Sequence, residues 1–321
     1  MKPIVVDAMG GDNAPSVIVE GVREALSSGI PVELVGDPAR ISNYDGITLR
    51  AALEVIEMDD EPGRAVRTKK DSSIVRAAEC VRDGHASAMV SAGNTGAVAA
   101  AALLRMKRLK GVNRPAIATT LPVPGRAPKI LLDSGAMADC QADWLHQFAR
   151  MGSAFAQVRY EVASPRIGLV SIGEEPEKGN QLVKEAHHLL ADDSTINFIG
   201  NVEGRDVLDG DVDVLVADGF TGNVILKTLE GTVRFLVNQI ISALSTDDAA
   251  EVGVQALGHL APIAAELNPD AVGGAMLLGV NGVAIISHGS AGPTAIVNAC
   301  KVAQDMVERD LVGELAAAIS L

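Results

Sequence analysis

Six apolar runs in the chain end in a polar side chain set against glycine: Asp7 before Gly10 and Gly11, Gly36 with Asp37, Ser91 with Gly93, Asp133 with Gly135, Gly173 with Glu174, and Asp218 with Gly219. Glycine lets the backbone approach a ligand closely, and polar residues at the carboxyl ends of buried strands line the crevice where open α/β sheets bind ligands. Glycine also serves ordinary strand-to-helix turns, so no single one of these is diagnostic. Two have a further feature. Gly93-Asn94-Thr95-Gly96 leads into a run of alanines and leucines, and a helix start presents unpaired N–H groups and the positive end of its dipole, which suits a phosphate. The plainer reading is that Asn94 or Thr95 caps that helix. The stretch "VADGFTGNVILKT" repeats the design, with Asp218, Gly219, Gly222 and Asn223 opening a long helix that carries Lys227. Two such loops could face one crevice. Neither is GxxxxGK[ST], and "DAMGGD" is not GxGxxG, so a P-loop is excluded and the dinucleotide fingerprint is absent.

Single residues around these turns have definable chemistry. Lys227 could neutralise phosphate or stabilise an oxyanion, or be a solvated helix lysine. His288, in "ISHGSAGP", could give a proton to a leaving group, or simply sit in a capped turn. Asn94 and Asn223 suit positioning. Asp133 and Asp218 could orient a donor or a lysine, or cap their loops, and Asp12 and Asp7 flank the glycine pair Gly10 and Gly11. The densest basic stretch of an otherwise acidic chain is Arg105, Lys107, Arg108, Lys110 and Arg114, and Arg64, Arg67, Lys69 and Lys70 form a second. Each is either a docking patch for an acidic partner or a solvated face. Three cysteines without CxxC spacing argue against a disulfide framework or zinc site and for a reducing, cytoplasmic setting. Cys140 is a candidate acyl nucleophile or a small buried hydrophobe. No metal and no redox cofactor are expected.

The elements that must position these residues are legible in the hydrophobic rhythm. "PIVVD", "PVELVGD", "SAMVSAG", "RPAIATTL", "KILLDSG", "RIGLVSIG", "INFIGNV" and "DVDVLVADG" read as buried strands of a parallel sheet. Residues 15–28, 72–83, 95–107, 141–157, 178–191, 223–244 and 293–309 have helical spacing and read as crossover helices. With 321 residues and 48% hydrophobic content, a two-lobed α/β protein fits. Residues 1–100 plus 272–321 are expected to form one lobe and 101–271 the other, with a helical excursion at about 242–271 carrying Asp247, Asp248 and Glu251. A net charge of −14 and 2% aromatics argue against nucleic acid as a partner. The first apolar run breaks after Val6, and the windows 97–104 and 275–286 are short or interrupted. Neither a secretory signal nor a transmembrane helix is therefore expected.

"VDAMGGDNAPS", "KKDSSIVRAAECV", "SAGNTGAVAAAALL", "NRPAIATTLP", "LLDSGAMADC", "FARMGS", "SIGEEPEKGN", "FIGNVEGRD", "DVLVADGFTGNVILKTLEG" and "SHGSA" together resemble the PlsX phosphate acyltransferases, in order and across nearly the whole chain. The resemblance implies an α/β/α sandwich of the phosphate acetyltransferase and isocitrate–isopropylmalate dehydrogenase type, two lobes with a central crevice. It also implies transfer of a long-chain fatty acyl group from acyl carrier protein to inorganic phosphate for phospholipid synthesis. Short-chain phosphotransacetylation with coenzyme A and non-catalytic anion binding are the alternatives. A homodimer is implied too, as are a glycerol-phosphate acyltransferase as the next enzyme and peripheral attachment at the inner face of the cell membrane, though the acidic excursion would be repelled by anionic lipid. Under this resemblance Lys227, His288 and Asp218 are the catalytic candidates. Gly10, Gly11, Asp12, Ser91, Gly93, Asn94, Thr95, Gly96, Asp133, Gly222 and Asn223 are expected to hold substrate, and Arg105, Lys107, Arg108 and Lys110 to meet the carrier protein. The chain departs from the family at Met137, where the pattern after "LLD" has asparagine, so a polar contact is expected to be missing.

Overall fold

The eight apolar runs all fold as strands, and three short ones join them: β1 (Ile4–Asp7), β2 (Val32–Gly36), β3 (Leu49–Ala51), β4 (Ala88–Ser91), β5 (Ala116–Leu121), β6 (Lys129–Leu132), β7 (Arg166–Val170), β8 (Asn197–Val202), β9 (Val214–Val216), β10 (Ala275–Leu278) and β11 (Val283–Ile286). The computed structural model describes residues 2–245 and 250–320, and the side chains of 250–252 and 269 are outside the description. Of the expected acidic patch, Asp247, Asp248 and the Glu251 side chain thus lie outside the described residues. The helices are α1 (Ser16–Ser27), α2 (Pro62–Thr68), α3 (Ser73–Arg82), α4 (Thr95–Arg105), α5 (Ala142–Tyr160), α6 (Gln181–Ala191), α7 (Asp206–Asp209), α8 (Gly219–Leu244), α9 (Ala250–Glu266), α10 (Pro269–Val272), α11 (Pro293–Glu308) and α12 (Leu311–Ser320).

One sheet runs through the molecule in the order β3-β2-β1-β4-β11-β10-β5-β6-β9-β7-β8. It is mostly parallel, as expected, but β10 is antiparallel to both β11 and β5, and β5 is antiparallel to β6. Connection length explains the reversals. Residues 279–282 and 122–128 are too short for a crossover, which takes a dozen or more residues, so each link makes a hairpin. In consequence β1, β2, β4, β5 and β11 run one way and β6 to β9 the other.

Alternation of side chains gives the sheet two apolar faces. On one, Val6, Val90, Ile285, Met276, Ala118, Leu132 and Val216 join a continuous core under α1, α5, α6, α11 and α12. On the other the core is in two pieces: Val5, Met89, Ala284, Leu277 and Ile117 under α3 and α4, and Leu121, Leu131 and Leu215 against Ile225, Leu226 and Leu229 of α8. The break falls over β10 and β5, where Ala275 and Thr119 are only partly covered. This is the crevice of the expected fold. Beyond it α8 pairs with α9, and Phe235, Leu236, Ile240, Ile241, Val254 and Ile263 stay exposed on the pair. Among the described residues no helix is long and apolar enough to cross a membrane.

Candidate active site

At the carboxyl ends of β1 and β4 the chain folds around a buried carboxylate. Asp7 Oδ1 accepts the Met9 amide at 3.0 Å, and Oδ2 accepts the Ser91 hydroxyl at 2.7 Å. Ser91 Oγ in turn accepts the Gly93 amide at 3.1 Å. Burial pushes the Asp7 carboxyl above its ordinary value, while Ser73, Ser91 and the Met9 and Gly10 amides pull it back. Gly10 and Gly93 meet backbone to backbone: a Cβ on Gly10 would stand 2.6 Å from the Gly93 nitrogen. Gly11 takes φ +113°, which only glycine adopts readily, and Asp12 then donates its amide to the Gly289 carbonyl at 2.7 Å. The loop after β11 is held to the same edge by the Ser287 amide on the Ser91 carbonyl. It carries His288, exposed, whose Nδ1 lies 2.8 Å from Ser290 Oγ, a bond that either atom can donate, and 3.3 Å from the Ser290 amide nitrogen. When Nδ1–H donates to Ser290 Oγ, Nε2 is left as an acceptor with no bond to any described residue.

The α4 turn of this site is open. Asn94 Oδ1 caps the helix by accepting the Ala97 amide at 3.0 Å, and its Nδ2 is spent on the carbonyls of Met58 and Asp60, so Asn94 is scaffold here. The amides of Thr95 and Gly96, at exposed positions one and two of an 11-residue helix, have no acceptor among the described residues.

The second turn, after β6 and β9, is built alike and is open only at Phe220. Asp133 is fully buried; Oδ1 accepts the amides of Ile117, Gly135 and Ala136, and Oδ2 that of Met137. Burial raises its carboxyl above the usual range against the pull of those amides. Asp218 is the cap of α8, bonded to the Thr221 amide and hydroxyl at 2.8 Å each. The Gly219 amide goes to the Met137 carbonyl and that of Gly222 to the Asp218 carbonyl. Of the first four amides of α8, three are therefore consumed within the protein. Gly222 lies against the Asp133 carbonyl, and Asn223 Nδ2 donates to the Ser134 carbonyl at 3.1 Å. Met137 contributes its backbone to this turn and packs its side chain on the core, so the departure from the family pattern puts an apolar group there.

The two turns do not face each other from one set of strand ends. Because the sheet reverses between β5 and β6, they leave strand ends that point in opposite directions, on either side of the crevice. The register Ser91–Ile286–Ala275 and Met276–Ala118–Leu132 spaces them four strands apart, about 19 Å, and about 7 Å along the strands. Spacing in sequence carries no information on this, because strand direction depends on pairing with distant segments.

The charged candidates divide in the same way. Lys227, in the third turn of α8, is half exposed and paired with Glu230 at 2.8 Å. Lys178, one of the motif residues not singled out above, is exposed after β7 at the α8 edge with no partner among the described residues. The basic stretch 105–114 lies between the end of α4 and the start of β5. Arg105 faces Glu79, Arg108 is bonded to the Asn113 carbonyl, and Arg114 covers the Trp144 ring at 4.5 Å; Lys107 and Lys110 are exposed and have no ion-pair partner among the described residues.

Cys140 is half-buried and its thiol donates to the Met137 carbonyl at 3.4 Å. Burial, aided by Asp133, Asp218 and Asp139, pushes it up to about 12, so at neutral pH almost none is thiolate. A thioester donor mixed with the protein in the absence of phosphate is expected to leave no acyl group on the Cys140 peptide by mass spectrometry. An acyl adduct appearing there before turnover would restore the covalent route.

The chain matches the family described as "Fatty acid synthesis protein" (FA_synthesis) over residues 2–313. The phosphate acyltransferase of Streptococcus equi subsp. zooepidemicus (strain H70) is 45% identical over 323 residues, covering 98% of this chain and 96% of the relative. That of Streptococcus pneumoniae (strain ATCC 700669 / Spain 23F-1) is 45% identical over 324 residues, covering 98% of each. Among solved structures, a branched-chain phosphotransacylase from Enterococcus faecalis V583 superposes with a TM-score of 0.62 at 15% identity, covering 95% of this chain and 99% of that one. The EutD phosphotransacetylase from Staphylococcus aureus gives 0.59 at 16% identity, covering 95% and 94%. These two show a shared fold.

Proposed function

The chain belongs to the fatty acid synthesis protein family as a phosphate acyltransferase, and from that premise we propose that it transfers a long-chain acyl group from acyl carrier protein to inorganic phosphate, supplying acyl phosphate for phospholipid synthesis. The observation that carries the choice of site is the pair of uncommitted amides at Thr95 and Gly96, after a strand whose Ser91 carbonyl holds the His288 loop through the Ser287 amide.

Phosphate is the nucleophile and a thioester is an activated acyl donor, so no serine or cysteine nucleophile is required. Backbone amides at the start of α4 orient phosphate without a tight cluster of cations that would quench its attack. An oxygen of hydrogen phosphate adds to the thioester carbonyl, and the tetrahedral intermediate collapses with loss of the C–S bond. With Nδ1–H held by Ser290 Oγ, His288 Nε2 takes the proton that the hydrogen phosphate releases as it attacks, and the imidazolium so formed gives that proton to the departing thiolate. Asp7 and Ser91 hold the turn in place and touch neither substrate. The α8 turn, with only the Phe220 amide open, borders the crevice through which the acyl donor approaches. The apolar side chains exposed on α8 and α9 support the second copy and the membrane contact that the family resemblance implies.

The test is to incubate purified protein with phosphate and either palmitoyl carrier protein or acetyl coenzyme A, trapping acyl phosphate as the hydroxamate. Palmitoyl hydroxamate from the carrier donor, dependent on phosphate, is the expected product. Acetyl hydroxamate alone would make the enzyme a short-chain phosphotransacetylase, and bound phosphate with no product would make it a regulator.

A further inference from the structure

The segment between β3 and α3 carries the second basic cluster of the chain, and the fold places it against the α4 turn. Asn94 Nδ2 donates to the carbonyls of Met58 at 3.0 Å and Asp60 at 3.1 Å. Pro62, the first residue of α2, stands 2.7 Å from where a Cβ on Gly96 would be. The Met58 methyl comes within 3.2 Å of the equivalent point on Gly289, next to His288. Residues 53–70 are therefore one wall of the site.

That wall has the composition of an interface. Arg64, Arg67 and Lys70 are exposed and have no ion-pair partner among the described residues. Of the acids around them, Asp60 is paired with Lys69, Asp71 with Arg76, and the Glu61 carboxylate caps the Gly63 and Arg64 amides, while Glu57 and Asp59 are exposed on the preceding loop. Alongside, Leu53 is 67% exposed and Met58 49%. Unpaired cations beside exposed apolar side chains match an acidic protein partner, with charge setting encounter and apolar contact setting residence. The stretch 105–114 has fewer free charges, because three of its arginines are engaged, and α4 carries it away from the open amides.

We propose that the surface of residues 53–70 docks the acidic carrier protein that delivers the acyl thioester, its carboxylates meeting Arg64, Arg67 and Lys70 and its apolar residues meeting Leu53 and Met58. The proposal rests on the acyl-transfer reading above. It is tested by calorimetric titration of the intact protein with carrier protein bearing a free pantetheine thiol, with no acyl group or phosphate present. The double variant Arg64→Glu/Arg67→Glu is expected to weaken binding about tenfold and to flatten its dependence on salt. Arg64→Ala/Arg67→Ala should weaken it less, in the same direction. The ratio of kcat/KM for palmitoyl carrier protein over palmitoyl pantetheine should fall with the affinity. Unaltered affinity in both α2 variants overturns the proposal, as does a larger loss in Lys107→Glu/Lys110→Glu. A wild-type protein that turns over palmitoyl pantetheine but does not bind carrier protein overturns the docking surface alone. One that binds carrier protein through α2 and forms no acyl phosphate from either donor sinks the reaction instead.

Discussion

Gly10→Ala is expected to lower kcat/KM for acyl phosphate formation by about 100-fold, the loss that displacement of a catalytic element by roughly 1 Å produces. The added methyl would lie 2.5 Å from Asp7 Oδ2, 2.6 Å from the Gly93 nitrogen and 2.7 Å from the Gly93 Cα. None of these atoms can swing aside. Asp7 is buried and held by Ser91, and Gly93 is main chain in the link between β4 and α4. The strain must therefore move the turn that presents the Thr95 and Gly96 amides, and overpacking of this kind also destabilises by about 1–3 kcal/mol. Gly231→Ala is the matched control. Nothing lies within 4 Å of its Cβ position in the middle of α8, so the exchange should stabilise the helix by up to ~1 kcal/mol and leave catalysis alone. Equal kcat/KM in Gly10→Ala and wild type, measured with the hydroxamate assay, would remove the α4 turn from the site.

His288→Gln is expected to reduce kcat by about 10²- to 10⁴-fold with palmitoyl carrier protein, the range typical of losing a positioned proton donor. Glutamine keeps an N–H of similar reach but cannot exchange a proton. Two readouts separate this from damage to the loop. A donor whose thiol is strongly acidic, such as an aryl thioester, leaves without protonation and should recover most of the lost rate. Because His288 is exposed, added imidazole should also restore turnover in part. Phosphate affinity by calorimetry should stay within about threefold, since the amides of α4 do not depend on the ring. If the aryl thioester is slowed as much as the natural donor, the role given to His288 is wrong.

The sequence alone settled the elements and the family. Strands such as "DVDVLVADG" and helices such as residues 223–244 announce themselves because burial imposes a period of two or near 3.6 on neighbouring side chains, a local rule. The weaker signals were lost for the same reason. β3 has three residues, α7 and α10 have four each, and the apolar window 275–286 hid β10 and β11 because Gly279, Asn281 and Gly282 in its middle form a hairpin turn. The glycine turns, Asp7, Asp133 and His288 were visible as residue types at strand ends.

What only the tertiary structure decided is which of these groups remain free. The two glycine turns look equivalent in sequence, yet the Met137 carbonyl takes the first amide of α8, leaving Phe220 alone, while the first two amides of α4, Thr95 and Gly96, both stay open. The reversal of the sheet between β5 and β6 turns the strand ends that carry the two turns in opposite directions, and α4 carries the stretch 105–114 away from its own amino terminus, leaving Arg64 and Arg67 rather than Arg105 and Arg108 nearer the open amides. A side chain's type is fixed where it stands in the chain. Its hydrogen-bond partner and the direction of its strand are set by segments up to a hundred or more residues away, brought together by burial of the core.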